Sequence, residues 1–99
     1  MNTVINSVGF VADVKLKDLL NKKMEKLITF NDEIISKEVY LKLDSNQSVK
    51  DKVIELKVHV PGKTLFVSES TKSFEESLDQ ALEVMIRQIK KEKEKARVH

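Results

Sequence analysis

Two kinds of side chain in this sequence could do chemistry: a strand histidine, and lysines and arginines repeated along two helical stretches. His59 lies in VIELKVHV, with Lys57 and Glu55 as its same-face neighbours. A general base needs a positioned nucleophile or a second titratable group, and no serine or other histidine in the sequence is placed beside it. The second histidine, His99, ends the chain, where order fades. There is no cysteine, which excludes a disulfide, a thiolate metal site and a cysteine nucleophile. Two isolated histidines without cysteines have no metal-ligand spacing. Gly9 and Gly62 are the only glycines, too few for a loop that cradles phosphates. The expectation is therefore no catalytic residue, no metal, no cofactor and no small-molecule substrate.

The cations are the stronger signal. Lys15, Lys22, Lys23 and Lys26 occur in one helical stretch, and Arg87, Lys90, Lys91, Lys93 and Lys95 in another. From Met85 to His99 there are six Lys/Arg against two Glu, while the whole chain is only +2, so the remainder is slightly acidic. Such polarised charge is what a phosphate-facing surface carries. Ammonium and guanidinium groups neutralise phosphates and position the protein, but they carry no base code. Glu92 and Glu94 interrupt the last run, and a Lys/Glu mixture is also what a solvated helix end looks like.

The elements that must position these cations can be read from periodicity. At 99 residues, 40% hydrophobic and 34% charged, the chain has the length and composition of one compact domain, 1–99. It opens without a basic n-region or a long apolar run, so neither a signal peptide nor a membrane span is expected. Absence of cysteine fits the cytoplasm. TVINSV, Thr3 to Val8, reads as a first strand, broken by Gly9. Asp13 then caps an amphipathic helix of about four turns through Leu16, Leu19, Leu20, Met24, Leu27 and Ile28, ending near Phe30–Asn31–Asp32. Lys15, Lys22 and Lys26 share one flank of it, and Lys23 lies between that flank and the apolar stripe.

Glu38 to Leu43 alternates with Val39, Leu41 and Leu43 inward; after the polar loop Asp44–Asp51, Val53 to Val60 alternates with Ile54, Leu56, Val58 and Val60 inward. Pro61–Gly62 is a turn into a strand from Lys63 to Glu69 with Leu65 and Val67 inward. Ser73 and Glu76 form a capping box for the last helix, Ser73 to Arg97, striped by Phe74, Leu78, Ala81, Leu82, Met85 and Ile89. Acids at its start and bases at its end suit the helix dipole.

The order β-α-β-β-β-α implies a parallel first pair joined by a right-handed crossover, then antiparallel hairpins. Strands polar on one face place both helices on the other. The expected fold is α+β, a two-layer sandwich with a four-stranded mixed sheet. On the open face Tyr40 and Phe66 could offer stacking platforms. Their neighbours are not basic-aromatic clusters, however, and covering strand surface explains them equally.

Several stretches carry a resemblance. They are Asp13-x-x-Leu16-Lys17-x-x-Leu20-x-x-Lys23-x-x-Lys26-Leu27, His59-Val60-Pro61-Gly62-Lys63, Ser73-Phe74-x-x-x-Leu78-Asp79, and Arg87-Gln88-Ile89-Lys90-Lys91-x-Lys93. Together they resemble the hibernation-promoting factor and ribosome-associated inhibitor A family over essentially the whole chain. The Arg-Gln-x-x-Lys-x-Lys stretch is the most specific part.

The resemblance implies a fold like that of double-stranded RNA-binding domains. It implies a non-enzymatic, cytoplasmic bacterial factor whose partners are the small ribosomal subunit and ribosomal RNA. Such factors occupy the channel of messenger and transfer RNA, block translation and preserve idle ribosomes. The family's basic positions carry over to Lys17, Lys23, Lys26, Arg87, Lys90, Lys91 and Lys93; helix geometry alone adds Lys22 and Lys95. Ending at His99, the chain looks like a short form of the family. Glu92 and Glu25 depart from the family pattern and would weaken or redirect RNA contact. A rival reading from another class is a protein–protein module that uses the polar sheet face or an open strand edge. Its partner capture would persist at high salt and after nuclease treatment.

Overall fold

The structure, a computed structural model, describes residues 3–46 and 48–97, with side chains as far as Lys95. Strand β1 (Thr3–Val8) is followed by helix α1 (Val14–Glu25), which tightens into a 3-10 turn over Lys26–Thr29. Strands β2 (Ser36–Leu43), β3 (Lys52–Val60) and β4 (Lys63–Thr71) lead to helix α2 (Phe74–Arg97). The sheet order is β1-β2-β3-β4, with β1 parallel to β2 and the other neighbours antiparallel. Both helices cover one face. The α+β sandwich expected from the sequence is the one formed.

Side-chain alternation sets the two faces of the sheet. Ile54, Leu56, Val58 and Val60 of β3, Leu65 and Val67 of β4, and Val39 and Leu41 of β2 are buried beneath the helices. Leu20 and Met24 of α1, Leu27 of the 3-10 turn, and Leu78, Ala81, Met85 and Ile89 of α2 close the core from above. Each such large side chain contributes about 1.5–3 kcal/mol by leaving water. Phe10 stacks on Phe74 with ring centroids 5.4 Å apart, tying together the approaches to the two helices. Gly62 takes φ +79, the value a Pro–Gly type II turn requires at this position.

The helix starts are capped from the strands as well as from within. Asp13 Oδ1 accepts from the Leu16 amide at 2.8 Å. The Ser73 hydroxyl accepts from the Glu76 amide at 3.1 Å, but the reciprocal half of the expected capping box is not made by Glu76. The Ser73 amide donates instead to Thr71 Oγ1. Thr71 is itself buried against Ser77, whose hydroxyl donates to the Lys52 carbonyl at 2.6 Å. A buried hydroxyl pair therefore seats the start of α2 on β3 and β4.

Three expectations need correction. The first helix is α-helical only to Glu25; the Thr29 hydroxyl donates to the Lys26 carbonyl, and Asn31 accepts from the Glu33 amide, so the chain tightens and turns away. Leu43 is not inward but 47% exposed, because it ends β2 beside the turn closed by the Asp44 amide on the Asp51 carbonyl. At the other end β2 begins two residues earlier, and the inward series includes Lys37, only 1% exposed. Burial pulls the Lys37 ammonium below its ordinary pKa, and the Glu25 carboxylate partly offsets this.

Candidate nucleic-acid interface

The direction of each cation follows from helix geometry, about 100° per residue, anchored by observed contacts. Lys23 reaches from α1 to Asp79 on α2 in a 2.5 Å ion pair. The flank of α1 on the Lys23 side therefore faces α2. Lys15, Lys22 and Lys26 lie on that same flank, further from the core, and all three are exposed. Lys17, also exposed, leaves α1 from the opposite flank, toward β1.

On α2 the corresponding marker is Lys90, whose ammonium sits 5.1 Å from the centroid of the Phe30 ring. Phe30 follows the 3-10 turn directly, so this cation–π contact bridges the ends of the two helical segments. Lys93 lines the same shallow cleft as Phe30 and Lys90. Lys90 and Lys93 thus gather with Glu94 beside Phe30 at one end of the space between the helices, and Lys26 is exposed on the flank of α1 that faces α2. Arg87, exposed, lies on the outer crest of α2. Lys91 and Lys95 lie on the far side, along a surface shared with Lys63, Thr64 and Phe66. The ten cations named from the sequence divide between the groove, the crest and the two outer flanks. The side chain of Arg97, and His99, fall outside the described residues.

Glu92 is the informative exception within the basic run. Met85, Ile89 and Glu92 stand at i, i+4 and i+7, so Glu92 continues the inward stripe and not the cationic faces. It meets the β3–β4 turn, where Lys63 Nζ donates to its Oε1 at 2.8 Å, and Lys95 approaches the same oxygen at 3.5 Å. The hydrogen bond from Lys63 is the main reason its carboxyl is held below the ordinary glutamate range. The acid that looked like a flaw in a phosphate-binding run is a latch between the helix and the sheet. Sequence reading missed Lys63 as its partner, for which the i, i+4, i+7 spacing of Glu92 was the available signal, and missed Asp79 and Phe30 as the partners of Lys23 and Lys90.

The open sheet face uses its charges internally. Tyr40 donates to Glu38 Oε1 at 2.7 Å, and His59 Nε2 donates to Glu38 Oε2 at 2.6 Å. A carboxylate only accepts, so Nε2 is the donor there, and Nδ1 meets the Thr64 hydroxyl at 3.0 Å. Lys57 covers the Tyr40 ring and Lys42 pairs with Glu55 at 3.0 Å. Glu38 is pulled below the ordinary glutamate pKa, first by the His59 hydrogen bond and then by that of Tyr40. The order Glu–His–Thr is that of a nucleophile relay. Thr64, however, stands exposed on a flat face, without the water-excluding enclosure that acyl transfer needs. Among the described residues no cluster of His, Cys, Asp or Glu could hold a metal ion, and no helix is long and apolar enough to cross a membrane.

Solved structures share this fold. A ribosomal subunit interface protein from Coxiella burnetii superposes with a TM-score of 0.83 at 20% identity, covering 94% of this chain and 98% of that one. The N-terminal domain of Protein Y from Thermus thermophilus superposes with a TM-score of 0.79 at 23% identity, covering 92% and 98%. At such identities the likeness is one of fold. Comparison with curated proteins finds no match. The family described as Sigma 54 modulation protein / S30EA ribosomal protein matches residues 3–97, nearly the whole chain, and the protein therefore belongs to that family.

Proposed function

We propose that the protein is a ribosome-associated translation inhibitor that acts by occupancy. It would bind the small ribosomal subunit in the channel of messenger and transfer RNA through basic residues on its two helices. Family membership implies association with the ribosome, in line with the resemblance to hibernation factors noted from the sequence. The observation that carries the finer reading is the gathering of Lys90 and Lys93 at one end of the inter-helix groove, pinned by the Lys90–Phe30 contact, with Lys26 exposed on the facing flank of α1. Lys22, Arg87 and Lys15 extend this exposed cationic surface along the helices.

In this mechanism the lysines and arginine neutralise ribosomal RNA phosphates and release counterions, which supplies affinity without reading sequence. The sandwich behind them is bulk that excludes messenger and transfer RNA. The Glu92–Lys63 latch holds the end of α2 against the sheet, so that Lys90 and Lys93 are presented together.

Co-sedimentation of the protein with purified small ribosomal subunits over a salt series tests this. If about five phosphates are met, log affinity falls against log salt with a slope of about −4. Replacing Lys26, Lys90 and Lys93 together by Ala reduces the slope by about 2–3 and leaves the circular dichroism spectrum unchanged. Unaltered binding by this folded triple variant would overturn the reading.

A further inference from the structure

We propose that β4 is a self-complementary edge that pairs two copies of this chain antiparallel about Phe66, making one continuous eight-stranded sheet. No strand covers the outer side of β4 among the described residues, and the strand is nine residues long. Natural edges are usually blunted by charge, proline or shortness. This one has none of these from Thr64 to Ser68, reading Thr-Leu-Phe-Val-Ser. Thr64, Phe66, Ser68 and Ser70 are exposed, Phe66 at 47%.

Backbone geometry decides which registers are available. Val60 and Lys63 flank a two-residue turn and are partners in the ladder, as are Val58 with Leu65 and Leu56 with Val67. In such a hairpin these pairs exchange the hydrogen bonds. The His59 carbonyl, one residue out of phase, turns the other way and accepts the Ile35 amide at 2.7 Å. The amides and carbonyls of Thr64, Phe66, Ser68 and Ser70 therefore point outward, with no strand beside them among the described residues. A two-fold axis through Phe66 matches them: Phe66 faces the partner's Phe66, and Thr64 faces the partner's Ser68.

The same axis places Lys63 opposite the partner's Glu69, and Glu69 opposite the partner's Lys63, all on the helix-covered face. Moving the axis to Thr64 or Ser68 loses both charge pairs. This complementarity selects a second copy over an unrelated strand donor. Lys63 also serves Glu92, but its side chain is 51% exposed and can meet a second carboxylate. The other free edge, β1, is six residues with no charged residue to set a register. Pairing along β4 leaves the groove between α1 and α2 uncovered, so this proposal stands or falls separately from ribosome binding.

Edge contacts are small, so the test uses sedimentation equilibrium of the whole chain up to about 1 mM protein. The expected result is a reversible rise in mass toward that of a dimer. Ser68→Pro removes an outward amide that the monomer does not use, and weakens association at least tenfold; circular dichroism checks that the variant folds. The charge pair gives an independent arm. Lys63→Glu and Glu69→Lys should each self-associate at least tenfold more weakly than the parent. An equimolar mixture of the two should associate, because every cross-strand pair is then again of opposite charge. A parent chain that stays monomeric throughout, or variants that associate as the parent does with no gain on mixing, would overturn the proposal.

Discussion

The end of the helix layer and the open face of the sheet are both rich in charge, yet they treat it in opposite ways. On the sheet, side chains of neighbouring strands stand about 5 Å apart, so opposite charges meet at once. Glu38 is shared by His59 and Tyr40, Lys42 takes Glu55, and Lys57 settles on Tyr40. At the helix ends two acids are taken up by single lysines, Glu92 by Lys63 and Asp79 by Lys23, while Glu94 stays exposed beside Lys90 and Lys93. Lys26, Lys90 and Lys93 are left facing outward or across the groove. A surface whose charges are already satisfied offers little to a polyanion, whereas one whose lysines outnumber the acids beside them offers more.

The largest expected effect comes from reversing charge in each region separately. Lys90→Glu with Lys93→Glu lowers affinity for small ribosomal subunits by about 100-fold or more at 0.1 M salt, since attractive phosphate contacts become repulsive. Lys42→Glu with Lys57→Glu changes net charge equally, yet shifts affinity by no more than about threefold. Equal losses in filter binding or co-sedimentation would break the comparison.

Next in size is Ile89→Ala, which removes the last buried apolar anchor of α2 and lowers stability by about 2–5 kcal/mol in urea unfolding. Below that stands Lys37→Met, which keeps the buried stem and removes a charge that burial disfavours, so the variant is at least as stable as the parent at pH 7. The sign follows from linkage. The folded Lys37 pKa lies below that of the unfolded chain, so the parent gains stability as pH rises from the folded value toward the unfolded one. Stability measured against pH from 7 to 10 shows the parent closing the gap on the variant.

The smallest effect belongs to Glu38→Gln. Its folded pKa is depressed, so the carboxylate contributes stability above the ordinary glutamate range, and that contribution fades as pH falls through the depressed value. Parent and variant differ at pH 7 and converge under acid, while ribosome affinity at pH 7 stays within about twofold.

Much of this was legible in residue order. The alternation of β3 and the stripe from Phe74 to Ile89 are strong periodic signals, and the element order then leaves few topologies. Element ends were less legible, because hydroxyls such as Thr29 and Thr71 settle them by short-range bonds to the backbone that leave no periodic signal. Lys37 was hidden because a lysine does not read as inward, even at the inward phase of a strand. Its long stem makes burial tolerable while the ammonium stays near Glu25.

The candidate interface divides in the same way. Charge polarity and the two basic runs follow from the amino-acid order alone, because composition and spacing along one helix are local properties. Which lysines face each other is not local. It depends on how α1 and α2 are rotated on a common sheet, and that rotation comes from burying Leu20, Met24, Met85 and Ile89 together. Tertiary packing therefore decided that Lys90 and Lys93 meet at Phe30, that Lys17 and Lys91 do not join them, and that Glu92 turns inward to Lys63.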